Sequence, residues 1–129
     1  MEQATADRLT AAQLTEAERR VIERFTSRLD DELGRDLRAL WLYGSRARGT
    51  AHAESDVDLL VIAEGGRDRY GRTAGDLSEE AAIAEGESPF NYSVHTHDPE
   101  WLQGRRAIES FFIQEVDRDK IVLAGSALD

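Results

Sequence analysis

Two short apolar runs with a glycine-flanked turn between them constrain this chain more than any other feature: Arg38 to Tyr43 (RALWLY) and Val57 to Ala63 (VDLLVIA). Both are too short for a packed helix and rich in aromatic or branched side chains, and Gly34 and Gly44 bracket the first. They therefore read as buried strands. The intervening Gly44-Ser45-Arg46-Ala47-Arg48-Gly49-Thr50 reads as a turn that opens into a helix start.

The flanking sequence supplies the layers such strands need. Val21, Ile22, Phe25, Leu29 and Leu33 recur at spacings of three and four, predicting a helix over about 16–33. Thr15 with Glu18 forms a capping box at its start, and Gly34 a left-handed stop. Residues 1–10 lack any period and are expected to be disordered or to form a short extra helix. Five glycines between Glu64 and Pro89 break the pattern, so 64–89 reads as an exposed, mobile connector with a few helical turns over Leu77 to Ala84. In it, Arg67, Arg69 and Arg72, interleaved with Asp68 and Gly71, read as a solvated loop. A third strand is expected over Phe90 to Thr96, then a helix opened by Asp98-Pro99-Glu100. Trp101, Ile108, Phe111, Phe112 and Val116 give that helix an apolar stripe, with Phe111 and Phe112 in the core. Ile121-Val122-Leu123 closes the chain as a strand. The expectation is one α+β domain over 1–129, a mixed sheet packed against helices.

Composition narrows the chemistry. The 129 residues contain no cysteine, which excludes disulfides, thiolate zinc sites and cysteine nucleophiles. Sixteen Lys and Arg against 26 Asp and Glu leave a net charge of -10, which repels nucleic acid at long range and suits a small nucleotide with its metal, or a basic protein partner. The longest apolar stretch is far short of a membrane span, and the start has no basic flank before an apolar run, so a cytoplasmic location is expected.

The residues that carry chemistry sit at the mouth of the two strands. Asp56 and Asp58 are two apart where the second strand begins, so their carboxylates project from one face and can share a divalent cation. Hard oxygen donors suit Mg²⁺ or Mn²⁺. Gly44 lets backbone approach a phosphate with no Cβ in the way, and Ser45 adds a hydroxyl. Arg46 and Arg48 are the candidate cationic contacts to phosphate. His95 and His97 read as a polar strand face rather than a metal pair.

The stretch LWLYGSRARGTAHAESDVDLLVIA resembles the signature of the DNA polymerase beta-like nucleotidyltransferase superfamily, in its minimal nucleotidyltransferase branch. The resemblance implies an NTP, ATP by preference, held at Gly44, Ser45, Arg46 and Arg48, with catalytic, metal-holding Asp56 and Asp58. It implies transfer of a nucleoside monophosphate to an acceptor hydroxyl, on a partner protein in antitoxin-like fashion. The partner implied is a helical HEPN-domain protein; self-association is left open. The chain departs from the pattern in one respect. Catalytic members carry a third carboxylate on a later strand, and here that strand offers Asn91, Ser93 and His95 instead. Asp98 is a poor substitute, being explained as a helix cap. The alternative is a weakened or inactive module that binds nucleotide or a partner.

Overall fold

The computed structural model describes Leu9, residues 12–52 and residues 54–129. The expectation for 1–10 lies outside the described residues, apart from Leu9, which is buried in the core. Helix α1 (Glu16–Leu33) is followed by strand β1 (Leu37–Tyr43), a single helical turn α2 (Ser45–Arg48) and strand β2 (Val57–Ala63). Helix α3 (Gly66–Ala84), strand β3 (Tyr92–His97), helices α4 (Pro99–Ala107) and α5 (Phe111–Asp119) and strand β4 (Ile121–Gly125) complete the chain. The four strands form one mixed sheet in the order β3-β2-β1-β4. β1 runs antiparallel to both β2 and β4, and β2 runs parallel to β3 across the α3 crossover.

Strand alternation decides what each face touches. Leu40 and Leu42 of β1 with Val57, Leu59, Val61 and Ala63 of β2 pack against Val21, Ile22, Phe25 and Leu29 of α1 and Ala74, Leu77, Ala81 and Ala82 of α3. Ala39, Trp41, Tyr43, Leu60 and Ile62 face the other way, onto Leu102 of α4 and Ile113 and Val116 of α5. Both central strands are thus covered on both sides, which is why they read as nearly unbroken apolar runs. α1 begins and ends as expected: Thr15 Oγ1 accepts from the Glu18 amide at 3.1 Å, the Thr15 amide donates to Glu18 Oε1 at 2.8 Å, and Gly34 follows the last turn at φ 53°.

Two expectations are corrected. The stretch read as an exposed connector, including the arginines read as a solvated loop, is instead largely the 19-residue helix α3, with Ala74, Leu77, Ser78, Ala81 and Ala82 buried. Gly71 and Gly75 each weaken a helix by about 1 kcal/mol relative to alanine, and burial of this apolar stripe outweighs them. The single long helix expected after Asp98 is two short ones. The chain turns where Glu109 takes φ 53°, so the stripe divides: Leu102, Ile113 and Val116 reach the sheet. Ile108 and Phe111 are exposed, at 69% and 75%, rather than in the core, and Phe112 is 41% exposed.

Candidate functional site

The carboxyl end of β1 and the amino end of β2 meet because the strands are antiparallel, with Tyr43 paired to Asp58. This register sets the Asp58 side chain directly against Gly44. A Cβ placed on Gly44 would stand 2.5 Å from Asp58 Oδ2, and Gly44 holds φ 78° and ψ -159°, a conformation essentially confined to glycine. The approach of carboxylate to backbone therefore exists only because residue 44 lacks a side chain.

Asp58 is half-buried and, among the described residues, has no hydrogen bond or ion pair. Burial, then the charge of Asp56, raises its pKa above the ordinary carboxylate range, while His95 and Arg48 oppose the shift. Asp56 is exposed just before β2. Asp58, with its proton affinity raised and no donor among the described residues, forms with Asp56 a donor set that a divalent cation would relieve. The pair fits such an ion on its chemistry, although no cluster of three His, Asp or Glu side chains suited to a metal occurs among the described residues. Beside Asp58, Tyr43 is buried to 8% exposure, and burial followed by the Asp58 charge pushes its phenol up to about 12.

A cleft of about 270 Å³ opens here, lined by Tyr43, Gly44, Ser45, Arg48, Asp58, Phe112, Glu115 and Val116. The Ser45 hydroxyl, in the first residue of α2, has no hydrogen bond among the described residues. Ala47 packs into the core beneath α2 and sends its two neighbours in different directions. Arg48 stays on the cleft, 3.5 Å from Asp119 Oδ2.

Arg46, expected as a nucleotide contact, turns away from the cleft. Its Nη1 pairs with Glu18 Oε1 at 2.7 Å, with both side chains nearly buried, and its Nη2 donates to the Ser55 carbonyl at 2.8 Å. It braces the segment that delivers Asp56. Glu18 thus closes the α1 capping box and anchors the loop of the site in one group. The β3 strand runs beside β2 with Ser93 paired to Asp58 and His95 to Leu60, so Ser93 and His95 stand beside Asp58 where the resemblance implies a third carboxylate. Ser93 Oγ and His95 Nε2 lie 3.4 Å apart. Asp98 caps α4 by accepting from the Trp101 amide at 2.7 Å.

Of the expected residues, then, Gly44, Ser45, Arg48 and Asp58 share one cleft, Asp56 is coupled to it by charge, and Arg46 supports it from behind. Phe112, expected in the core, lines the cleft instead, and Glu115, three residues on along α5, joins it without any signal in the sequence. Their presence depends on the break between α4 and α5, which the apolar stripe of the sequence concealed.

The sequence model of the nucleotidyltransferase domain family matches residues 22–123. A curated protein of Methanocaldococcus jannaschii, provisionally named a protein adenylyltransferase, is 48% identical over 44 residues, 34% of this chain and 30% of that protein. The chain thus spans under a third of that relative's length. A solved toxin-antitoxin structure with AMP-PNP superposes with a TM-score of 0.52 at 24% identity, covering 79% of this chain and 72% of that one. A mutant of the toxin-antitoxin MntA-HpeT gives 0.50 at 22% identity, covering 78% and 70%. These two likenesses show the fold.

Proposed function

The chain belongs to the nucleotidyltransferase domain family, and from this we propose that it moves a nucleoside monophosphate from an NTP to an acceptor hydroxyl on a partner protein. The observation that carries the reading is Asp58, a half-buried carboxylate without donors among the described residues, seated against the Cβ-free backbone of Gly44. Asp56 and Asp58 would hold Mg²⁺ or Mn²⁺, which when bound supplies charge stabilisation to the attacking and leaving oxygens. The other contributions come from the chain itself. Gly44 gives a phosphate oxygen room to reach the turn, the Ser45 hydroxyl is free to donate to it, and Arg48 offsets its charge. Tyr43 and Phe112, 5.5 Å apart edge to face, wall the cleft and limit water.

In the reaction the acceptor oxygen bonds to the α-phosphorus, the bond from that phosphorus to the bridging oxygen breaks, and pyrophosphate leaves with the electron pair. The hydroxyl proton must go to a base. His95, on the strand that runs beside Asp58, is the group of this chain placed to take it.

The provisional name of the Methanocaldococcus jannaschii relative supports a protein acceptor, and the fold neighbour with AMP-PNP supports an adenine nucleotide. The two toxin-antitoxin neighbours support an antitoxin-like pairing, for which the resemblance implies a helical HEPN-type partner. One observation favours a second reading, a module that binds nucleotide or partner without catalysis: β3 presents Ser93 and His95 rather than a third carboxylate.

Intact-mass analysis of a co-purified partner, before and after addition of Mg²⁺ and ATP, separates the two. Gain of one nucleoside monophosphate, absent with Asp58→Asn, supports transfer. A stable complex whose partner never changes mass supports the module.

A further inference from the structure

A second cleft, of about 560 Å³, lies over the outer edge of β3, where α3 leans across the strand. It is larger than the cleft at Gly44 and differs from it in charge. Arg67 and Arg72 project into it from α3, and His95 and His97 line it from β3. Among the described residues every lysine and arginine is ion-paired with a carboxylate or donates to main-chain carbonyls, except Arg35, Arg67, Arg72 and Arg105. Two of these four line this cleft, and a third, Arg105, acts on His97 in its wall. A chain carrying ten excess negative charges thus leaves three of these four cations at one cleft.

The local design is unfavourable for folding alone. Arg67 sits in the first turn of α3, where the helix dipole disfavours a cation. Gly71, one turn on, leaves room for its stem, since a Cβ there would stand 3.1 Å from Arg67 Cγ. The His97 ring, stacked on Trp101 at 3.7 Å, is held below the ordinary imidazole pKa by burial first and then by His95, Arg67 and Arg105, and Asp98 only partly offsets them. Asp98 is itself engaged as the α4 cap.

We infer that this cleft is a binding subsite for a compact phosphate-type anion, separate from the Gly44 turn and meeting the transfer site at His95. Two guanidinium forks and two imidazoles offer more donors than one carboxylate can accept, which favours a tetrahedral group with several oxygens. A long polyanion is disfavoured by the net charge, so a single phosphate group is the better fit. It can come from the phosphate tail of the nucleotide or from a phosphate carried by the acceptor.

The test is titration of the full chain with inorganic phosphate at constant ionic strength and pH, following the imidazole NMR signals of its three histidines. Saturable shifts at His95 and His97 but not at His52 are expected. Affinity should fall about a hundredfold in Arg67→Gln with Arg72→Gln, about tenfold per arginine, and hold in Arg35→Gln. Both arginines are exposed, so the double variant folds. Equal drift of all three histidines, or saturation unaltered in the double variant, would overturn the inference. Repeating the titration with Mg²⁺ and excess ATP assigns the source: displacement marks the nucleotide's own tail, and simultaneous binding marks the acceptor. The phosphate titration needs no nucleotide, so its failure is separate from failure of the transfer reading.

Discussion

At the scale of single residues, the site depends on one missing Cβ. Gly44→Ala should cost about 1–3 kcal/mol of stability, through strain at positive φ and the clash with Asp58, and should abolish NTP binding. Urea unfolding and calorimetry check the two effects. Asp58 makes the complementary case. Its pKa is raised on folding, so the native state holds its proton more tightly than the unfolded chain. Stability from this group is therefore complete below the unfolded carboxylate range and is lost as pH rises through the folded pKa. Asp58→Asn, which cannot ionise, should melt higher than the native chain at neutral pH, with the gain vanishing below about pH 3. A site residue whose neutral replacement stabilises the fold is one kept for function. That Gly44, Ser45 and Asp58 fall together was legible in the sequence, because a short turn joins the two apolar strands that carry them. Arg46 was not, because its partner Glu18 lies a helix away and only the packed fold brings it to 2.7 Å. Arg46→Ala should cost about 3 kcal/mol by leaving Glu18 buried and unpaired. Arg48→Ala, at the cleft, should change stability by about 0.5 kcal/mol or less while weakening NTP binding about tenfold.

Among the elements, α3 is where local propensity and packing disagree. Gly71 and Gly75 made 64–89 look like a connector, yet the buried stripe of Ala74, Leu77, Ala81 and Ala82 holds a helix against α1 and β3. Gly75→Ala discriminates the two readings, since a Cβ there meets nothing within 4 Å. It should raise stability by about 0.5–1 kcal/mol in urea unfolding; a mobile connector would gain much less. α4 and α5 show the opposite limit. Their apolar residues fit one helical period, but Glu109 at φ 53° breaks it, and a turn at a non-glycine residue leaves no signal in the pattern. Once divided, the stripe frees Phe112 to wall the cleft at Gly44 rather than fill the core. The strands gave the firmest reading, because β1 and β2 are covered on both faces and their composition says so directly.

At the scale of the whole molecule, one sheet separates two apolar layers and brings its chemistry to one region. The antiparallel β1–β2 pair contributes Gly44 and Asp58, and parallel β3 adds Ser93 and His95 beside them. No helix among the described residues is long and apolar enough to cross a membrane. The excess negative charge is uneven, with Asp56 and Asp58 on one side of His95 and unpaired arginines on the other. That division matches the proposed arrangement, with a divalent cation at the carboxylates and a phosphate group at the arginines. The central claim is that the carboxylates beside Gly44 hold nucleotide together with a divalent cation. Calorimetric titration of the chain with each of the four NTPs in Mg²⁺, alongside Asp58→Ala and a sample without metal, tests it most directly. The account predicts saturable binding of at least one NTP that is lost both without metal and in Asp58→Ala. Binding that survives either change, or no binding of any NTP to the folded chain, would contradict it.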